Sequence, residues 1–82
     1  MNQIADTSRL ERPVYDMPDD IREAIEGRRL ADAYGARPAY QRNDYVGWIT
    51  RARLPATRAK RLAQMLDELA RGGVYMHMKW NG

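Results

Sequence analysis

The chain has 82 residues, a formal net charge of +3 and no cysteine. This length suits one small domain with a modest core, and the absence of cysteine excludes a disulfide framework and a thiolate metal site. No apolar run reaches the roughly 20 residues that span a bilayer, and the first residues lack the apolar stretch of a signal peptide, so we expect a cytoplasmic protein without membrane insertion.

The first half of the chain predicts an arm and two short helices. Residues 1–13 mix charged and polar types without a helical period, which predicts a flexible arm ahead of a single domain at 14–82. Pro18 and the two acids after it are a helix-start signal, and Gly27 ends that helix. A second short helix stops near Gly35. Helices this short are unstable alone in water, so both must pack on something longer.

A longer amphipathic helix is predicted over residues 38–53. Gly47 lies on its far side, which indicates the close approach of a neighbouring helix or tail. Pro55 lacks an N–H and must end or restart the helix. The apolar stripe of this helix consists of Tyr45, Trp48, Ile49 and Ala52.

The fourth helix, predicted over residues 56–71, has the clearest pattern, and the glycine pair at 72–73 closes it. Arg58 falls at the border of its apolar stripe, and Arg61 falls further round toward solvent. The apolar stripe consists of Ala59, Leu62, Ala63, Leu66, Leu69 and Ala70. The opposite face carries Lys60, Gln64, Asp67 and Arg71.

Residues 74–80 alternate apolar and polar side chains, as residues 14–17 do. Two interpretations stay open: a short two-stranded ribbon between these segments, or an extended clasp over the helices. The predicted fold is all-α, a small bundle of two short helices on a long antiparallel helix pair. Its core is expected to contain Ile21, Ile25, Trp48, Ile49, Leu62, Leu66 and Leu69.

The positive charge is concentrated between residues 51 and 61, where five basic residues stand without an acid. We call them the basic corner. One interpretation is an anion site or a docking surface for an acidic partner, because a helix N-terminus with free N–H groups lies there. The other is structural, with Arg58 or Arg61 bonding carbonyls of the preceding helix or acids of the first helices. The acids that could pair with Arg58 or Arg61 are Asp19, Asp20 and Glu23. The corner consists of Arg51, Arg53, Arg58, Lys60 and Arg61.

The chain shows no catalytic constellation. Its one histidine, His77, stands between two methionines and suits a soft metal such as Cu(I), but a single histidine without a second strong ligand is a poor site. No Ser–His or acid–His pair falls in helical register, and no glycine loop cradles phosphate. Tyr45 and Trp48 have the spacing of core residues rather than of a base-stacking platform. We expect no enzyme, no metal and no cofactor.

Several motifs together resemble a known family. The acidic helix start after Pro18 is followed by Tyr45-x-x-Trp48-Ile49, by Thr57-Arg58-x-x-Arg61, and by a leucine-rich helix that ends in glycine. Over residues 17–73 this pattern resembles the C-terminal helical domain of the bacteriocin-protection family described as YdeI or OmpD-associated. In many members of that family a small β-barrel-like module precedes the helices, and we expect this chain to lack that module and to add a tail at 74–82.

The resemblance implies a bacterial protein linked to envelope stress or bacteriocin tolerance, and it implies no reaction. We therefore expect a protein-interaction module whose basic corner docks an acidic partner. The alternative is a nucleic-acid-binding module that uses the same corner. Salt discriminates them, because binding to nucleic acid weakens by roughly one power of salt concentration for each phosphate contact.

Overall fold

The computed structural model of the protein describes residues 14–81, and these are mostly helical. The arm predicted at residues 1–13 lies outside the described residues. The helices are α1 (Asp19–Gly27), α2 (Ala31–Gly35), α3 (Ala39–Thr50) and α4 (Pro55–Arg71). Two short strands follow, β1 (Val74–Tyr75) and β2 (Met78–Lys79), and they pair antiparallel. Within residues 14–81, no helix has both the length and the apolar character needed to cross a membrane.

The first helix begins and ends close to where the sequence predicts. Pro18 is extended and precedes it, and two aspartates occupy its first turn, where the positive end of the helix dipole favours them. Gly27 is the last helical residue. The left-handed conformation falls on Arg29, with φ 58°, and the Leu30 N–H then donates to the Ile25 carbonyl. A side chain in this conformation costs about 1 kcal/mol.

The two long helices meet at a short connection. α3 ends at Thr50 rather than at residue 53, and the Thr50 hydroxyl donates back to the Val46 carbonyl at 2.8 Å. Leu54 is extended, as expected for a residue before proline, and Pro55 occupies the first turn of α4. The connection therefore forms where the sequence places Pro55.

The core lies around α4, which contacts α1, α2, α3 and β1. Met65 is fully buried there, although the sequence did not single it out, and so is Tyr45 of the predicted α3 stripe. Of the predicted core residues, Trp48 and Leu62 are half-buried and pack against the cluster. The remaining ones are buried as predicted: Ile21, Ile25, Ile49, Leu66 and Leu69.

The buried face of α4 is rotated from the predicted stripe. Ala59, Ala63 and Ala70 are exposed, whereas Met65 and Glu68 are buried. A methyl group buries little area, so exposing an alanine costs little, while the long Met65 side chain fills the core. Gln64, predicted on the polar face, is half-buried. The other members of that face are exposed as predicted: Lys60, Asp67 and Arg71.

The ribbon that one of the two interpretations placed between the tail and residues 14–17 does not form. β1 finds its partner inside the tail, and the turn between β1 and β2 is made by Met76 and His77, with φ 50° and 66°. Positive φ at both central residues is the geometry of two-residue hairpins. The fold is therefore helical with one small sheet. The antiparallel packing of α3 and α4 as a bundle stays a prediction.

Residues 14–17 lie along α3 instead. The Tyr15 N–H donates to the Asn43 Oδ1 atom at 2.8 Å, and the Tyr15 ring lies against Gly47. A Cβ atom at Gly47 would overlap that ring. The close approach that the glycine predicts is confirmed, and the segment that approaches precedes the helices.

Candidate interaction surface and the buried Glu68 network

Arg58 pairs with an acid of the first helix, as the structural interpretation predicts. Its NH2 atom donates to both carboxylate oxygens of Asp20, at 3.0 and 3.1 Å. The two side chains are 30% and 58% exposed, so water and salt screen the attraction. The pair joins α4 to α1 and contributes less than about 1 kcal/mol.

Arg61 lies against α3 rather than toward solvent, which corrects the sequence-based expectation. Its NH1 atom donates to the Trp48 carbonyl at 2.7 Å, and its guanidinium carbon lies 5.3 Å from the centroid of the Trp48 ring. That carbonyl is one of the last four of α3, which lack partners inside the helix. Arg61 is half-buried and acts as a C-terminal partner for α3, the second bond that the structural interpretation allows.

The rest of the basic corner faces solvent. Arg51 is exposed and donates to the Tyr15 hydroxyl at 3.2 Å. The side chains of Arg53 and Lys60 are exposed and make no hydrogen bond or ion pair with any of residues 14–81. Leu54, beside Arg53 in the chain, is 65% exposed. The accessible part of the corner thus combines unpaired cations with an aliphatic side chain.

The corner offers no exposed aromatic ring among the described residues. Trp48 is half-buried, and Arg61 lies over its ring. Thr57 is half-buried in the first turn of α4, and that helix has no side-chain cap. This surface presents positive charge and apolar contact and provides no platform on which a base stacks.

A second constellation lies in the interior around Glu68, which is 1% exposed. Its carboxylate accepts hydrogen bonds from the Tyr45 hydroxyl at 2.5 Å and from the backbone N–H groups of Met76 and His77, both at 2.8 Å. Gln64 Nε2 donates to it at 3.1 Å. One buried carboxylate therefore joins α4, α3 and the hairpin turn.

Burial on its own would raise the pKa of Glu68. The hydrogen bonds from Tyr45, from the His77 and Met76 amides and from Gln64 outweigh it, so the pKa of Glu68 lies below its ordinary value of 4.5. Burial, followed by the bond to Glu68, raises the pKa of Tyr45. The pair is thus held as a carboxylate accepting from a neutral phenol.

Arg37, which is 3% exposed, adds a buried cation to this network. It donates to the Gln41 side-chain oxygen at 3.1 Å and to the Glu68 carbonyl at 2.9 Å. Trp80 covers it, with the guanidinium carbon 4.6 Å from the ring centroid. At the edge of the network, the Tyr75 hydroxyl donates to Asp44 at 2.7 Å. Hydrogen bonds to the Glu68 carboxylate and from the Arg37 guanidinium offset the cost of burying these charges.

The hydrogen bonds of the Glu68 carboxylate hold elements of the fold together. The Glu68 carboxylate accepts four hydrogen bonds, which occupy the lone pairs that a general base needs. His77 Nδ1 lies 3.8 Å from a Glu68 oxygen, beyond hydrogen-bond distance, and its side chain is 80% exposed. Nowhere in the described range do three metal-ligating side chains come together.

The sequence did not reveal this network. Glu68 stands between the buried Met65 and Leu69, at the shoulder of the apolar stripe, but a glutamate there is usually solvated. The available signal was compositional. The chain has five tyrosines and no phenylalanine, so its buried aromatic rings carry hydroxyl groups that need acceptors.

A shallow groove of about 240 Å³ lies between residues 14–17 and α3. Its lining includes Val14, Met17 and Val46, and its cation is Arg42. The Arg42 guanidinium is already committed, because its NH1 atom donates to the carbonyls of Gly35 and Arg37 at 3.0 and 2.7 Å. The groove therefore adds apolar surface without a charged group available for a ligand.

Comparison with known proteins identifies a family for the chain. The family model described as "Bacteriocin-protection, YdeI or OmpD-Associated" matches residues 14–72. The match begins with the segment that lies along α3 and ends at the glycine that closes α4, so the hairpin falls outside it. No curated protein and no solved structure matches the chain significantly.

Proposed function

The chain belongs to the bacteriocin-protection, YdeI or OmpD-associated family, and on that premise we propose that it is a protein-interaction domain whose basic corner docks an acidic partner segment. We place this role in bacteriocin tolerance or envelope stress, and the words bacteriocin protection in the family description support the first of these. The proposal assigns no reaction to the domain, because its one histidine is exposed and its buried carboxylate is fully hydrogen-bonded.

The observation that carries this proposal is the composition of the accessible corner. The side chains of Arg53 and Lys60 have no partner among residues 14–81, and Leu54, next to Arg53 in the chain, is 65% exposed. Unpaired cations attract a segment of opposite charge and orient it, and an exposed leucine gives that segment an apolar contact. A partner with carboxylates around an apolar residue complements both features.

The nucleic-acid alternative rests on charge alone. Phosphates are attracted by the same cations, but Arg58 and Arg61 already have partners, and Trp48 is half-buried. Fewer than five cations are then available to phosphate, and within the described residues no exposed ring lies at the corner for a base to stack on. The acidic peptide is therefore the better complement.

The test is a titration of the ¹⁵N-labelled protein, followed by amide chemical shifts. The probes are a synthetic acidic peptide with leucines at helical spacing, the same peptide with glutamine for glutamate, and a mixed-sequence DNA duplex. We expect the acidic peptide to shift amides around Arg53 and Lys60, and the neutral peptide to shift none. Shifts with the duplex and none with the peptide would establish the nucleic-acid alternative.

Variants locate the binding. Arg53→Gln together with Lys60→Gln is expected to lower the affinity for the acidic peptide by at least roughly tenfold, because two cations are lost from the surface. Arg28→Gln with Lys79→Gln removes the same charge from exposed positions elsewhere and is expected to bind normally. If both double variants lose affinity equally, the attraction is to net charge and the corner is not a site.

A further inference from the structure

The C-terminal hairpin is fixed to the helices through its turn. The backbone N–H groups of Met76 and His77 both donate to the buried Glu68 carboxylate at 2.8 Å. Both residues have the positive φ that side chains rarely adopt. The turn conformation is unfavourable by itself, so the carboxylate beneath it is what makes it stable.

Further attachments join the hairpin to the helices at its edges. Tyr75 donates to Asp44 at 2.7 Å, and Trp80 covers Arg37. Within the hairpin, the Trp80 N–H donates to the Gly73 carbonyl at 3.0 Å. Each strand has two residues, and an isolated hairpin is at best marginally stable in water. The hairpin therefore depends on its contacts with the helices.

The helices depend less on the hairpin. The family match ends at residue 72, before the first strand. The buried core is supplied by α1, α3 and α4, with Ile21, Ile49 and Leu66 among its members. Tyr75 and Met76 pack only at its margin as half-buried residues. The helical unit thus keeps its centre when the hairpin leaves.

We propose that the C-terminal hairpin is a clasp that closes over α3 and α4 on the Glu68 carboxylate and is released, with the helices still folded, when that carboxylate takes up a proton. Protonation removes the negative charge and turns one oxygen into a donor. The Met76 N–H donates to Oε1 and the His77 N–H to Oε2, so a proton on either oxygen sets a donor against one of the two turn amides. Release uncovers the Tyr45 ring, against which Tyr75 packs edge-to-face at 5.4 Å.

The groups that face Glu68 set the direction of the response. Tyr45 of α3 and Gln64 of α4 donate to it, and Arg37, before α3, donates to its backbone carbonyl. These bonds and the two turn amides hold the pKa of Glu68 below 4.5, so closure and protonation oppose each other. The stabilisation of the closed clasp is complete above 4.5 and is lost as the pH falls through the lowered pKa.

Two neighbouring ionisable groups act on the same clasp. The His77 Nδ1 atom lies 3.8 Å from a Glu68 oxygen, so a proton on the imidazole adds an attraction and opposes release. Asp44 holds Tyr75, and its protonation weakens that edge contact.

Around α4, the first two helices add Ile21, Ile25, Ala33 and Tyr34 to the core, and the Tyr34 hydroxyl donates to the Arg42 carbonyl.

The experiment is an NMR titration of the full chain from neutral pH to values below 4.5. The reporters are the Met76 and His77 amides and the Trp80 indole N–H, compared with core amides of α3 and α4. We expect the hairpin signals to move to disordered positions while the core signals persist, with amide exchange in the turn faster than in the core by at least roughly tenfold. Loss of both sets at the same pH would overturn the proposal.

Variants separate the clasp from ordinary acid denaturation. Glu68→Gln is expected to leave the hairpin open at neutral pH with helical dichroism retained, whereas Asp67→Asn, on the exposed face of the same helix, is expected to behave as wild type. A closed hairpin in Glu68→Gln contradicts the proposal. If Glu68→Gln fails to fold, the wild-type titration decides. In His77→Gln the hairpin is expected to open at low pH as it does in the wild type. If this acid response is lost, the imidazole and not Glu68 controls the opening.

Discussion

The basic corner and the Glu68 network are both built from charged residues, but they differ in where those charges lie. The corner is contiguous in sequence and largely exposed, and water screens the ion pair that Arg58 makes with Asp20. The network joins residues that are far apart in sequence, and the side chains of Arg37, Gln41 and Glu68 are buried. Of the charges that stand out in the sequence, the side chains of Arg53 and Lys60 have no partner among residues 14–81, whereas the inconspicuous ones organise the fold.

The energetic consequences differ in the same direction. An exposed ion pair contributes about 0.2–1 kcal/mol. Removing a buried carboxylate leaves each of its donors unsatisfied, at about 1–3 kcal/mol each. For a chain of 82 residues the free energy of unfolding is on the order of 4–12 kcal/mol. One interior residue thus accounts for a large share of stability, and one corner residue does not.

The largest expected effect is that of Glu68→Ala. It leaves the Tyr45 hydroxyl without its acceptor and removes the two bonds that hold the turn at Met76 and His77, and we expect the free energy of unfolding to fall by about 3–5 kcal/mol in urea denaturation. Asp67→Ala, the exposed neighbour paired with Arg71, is expected to cost less than about 0.5 kcal/mol. Equal costs for the two variants would remove the distinction between the interior network and exposed charge.

Arg61→Ala tests whether a corner residue holds structure. Its loss removes a charge-assisted bond to the Trp48 carbonyl and the contact with the Trp48 ring, so we expect a cost of about 1–2 kcal/mol. Trp48 fluorescence should change in the folded protein. An unchanged melting temperature would mean that Arg61 does not stabilise the fold and is available to a partner.

Whether Gly47→Ala stabilises or destabilises the protein depends on Tyr15. In the wild type the new methyl group displaces the Tyr15 ring, which offsets the gain in helix propensity. In a Tyr15→Ala background the same substitution is expected to stabilise the protein by up to about 1 kcal/mol. Gly27→Ala, where no atom lies nearby, provides the control. A Gly47→Ala effect that is the same in both backgrounds would mean that the ring does not require the glycine.

The smallest expected effect is that of Arg58→Ala. Because the pair with Asp20 is exposed, we expect a loss of about 0.2–1 kcal/mol that shrinks as salt is added. Asp20→Ala should cost slightly more, because it also removes an acid from the first turn of α1, and the double variant should cost no more than Asp20→Ala alone. A loss above about 2 kcal/mol would make this pair comparable to the interior network.

Features with a local cause could be predicted from the sequence. The helices follow from apolar periodicity and from the prolines and glycines at their ends, and Gly47 indicated the close approach that Tyr15 makes. The Arg58–Asp20 pair was among the partners predicted, because a basic first turn opposes the helix dipole and needs an acid.

Features that depend on distant partners could not be predicted. The buried face of α4 turns toward Glu68 because donors arrive from α3 and from the hairpin, and no local pattern encodes them. The tail's alternation fitted a strand but did not identify its partner, since a two-residue turn at Met76 and His77 leaves the alternation intact.

The most direct test of this division between the regions is calorimetric titration of the acidic peptide into two variants at neutral pH. Arg53→Gln with Lys60→Gln is expected to lose affinity by at least roughly tenfold while its melting temperature stays at the wild-type value. Glu68→Gln is expected to keep the affinity although its hairpin is open. Loss of affinity in Glu68→Gln, with retention in the corner variant, would contradict the assignment of binding to the corner and structure to the interior.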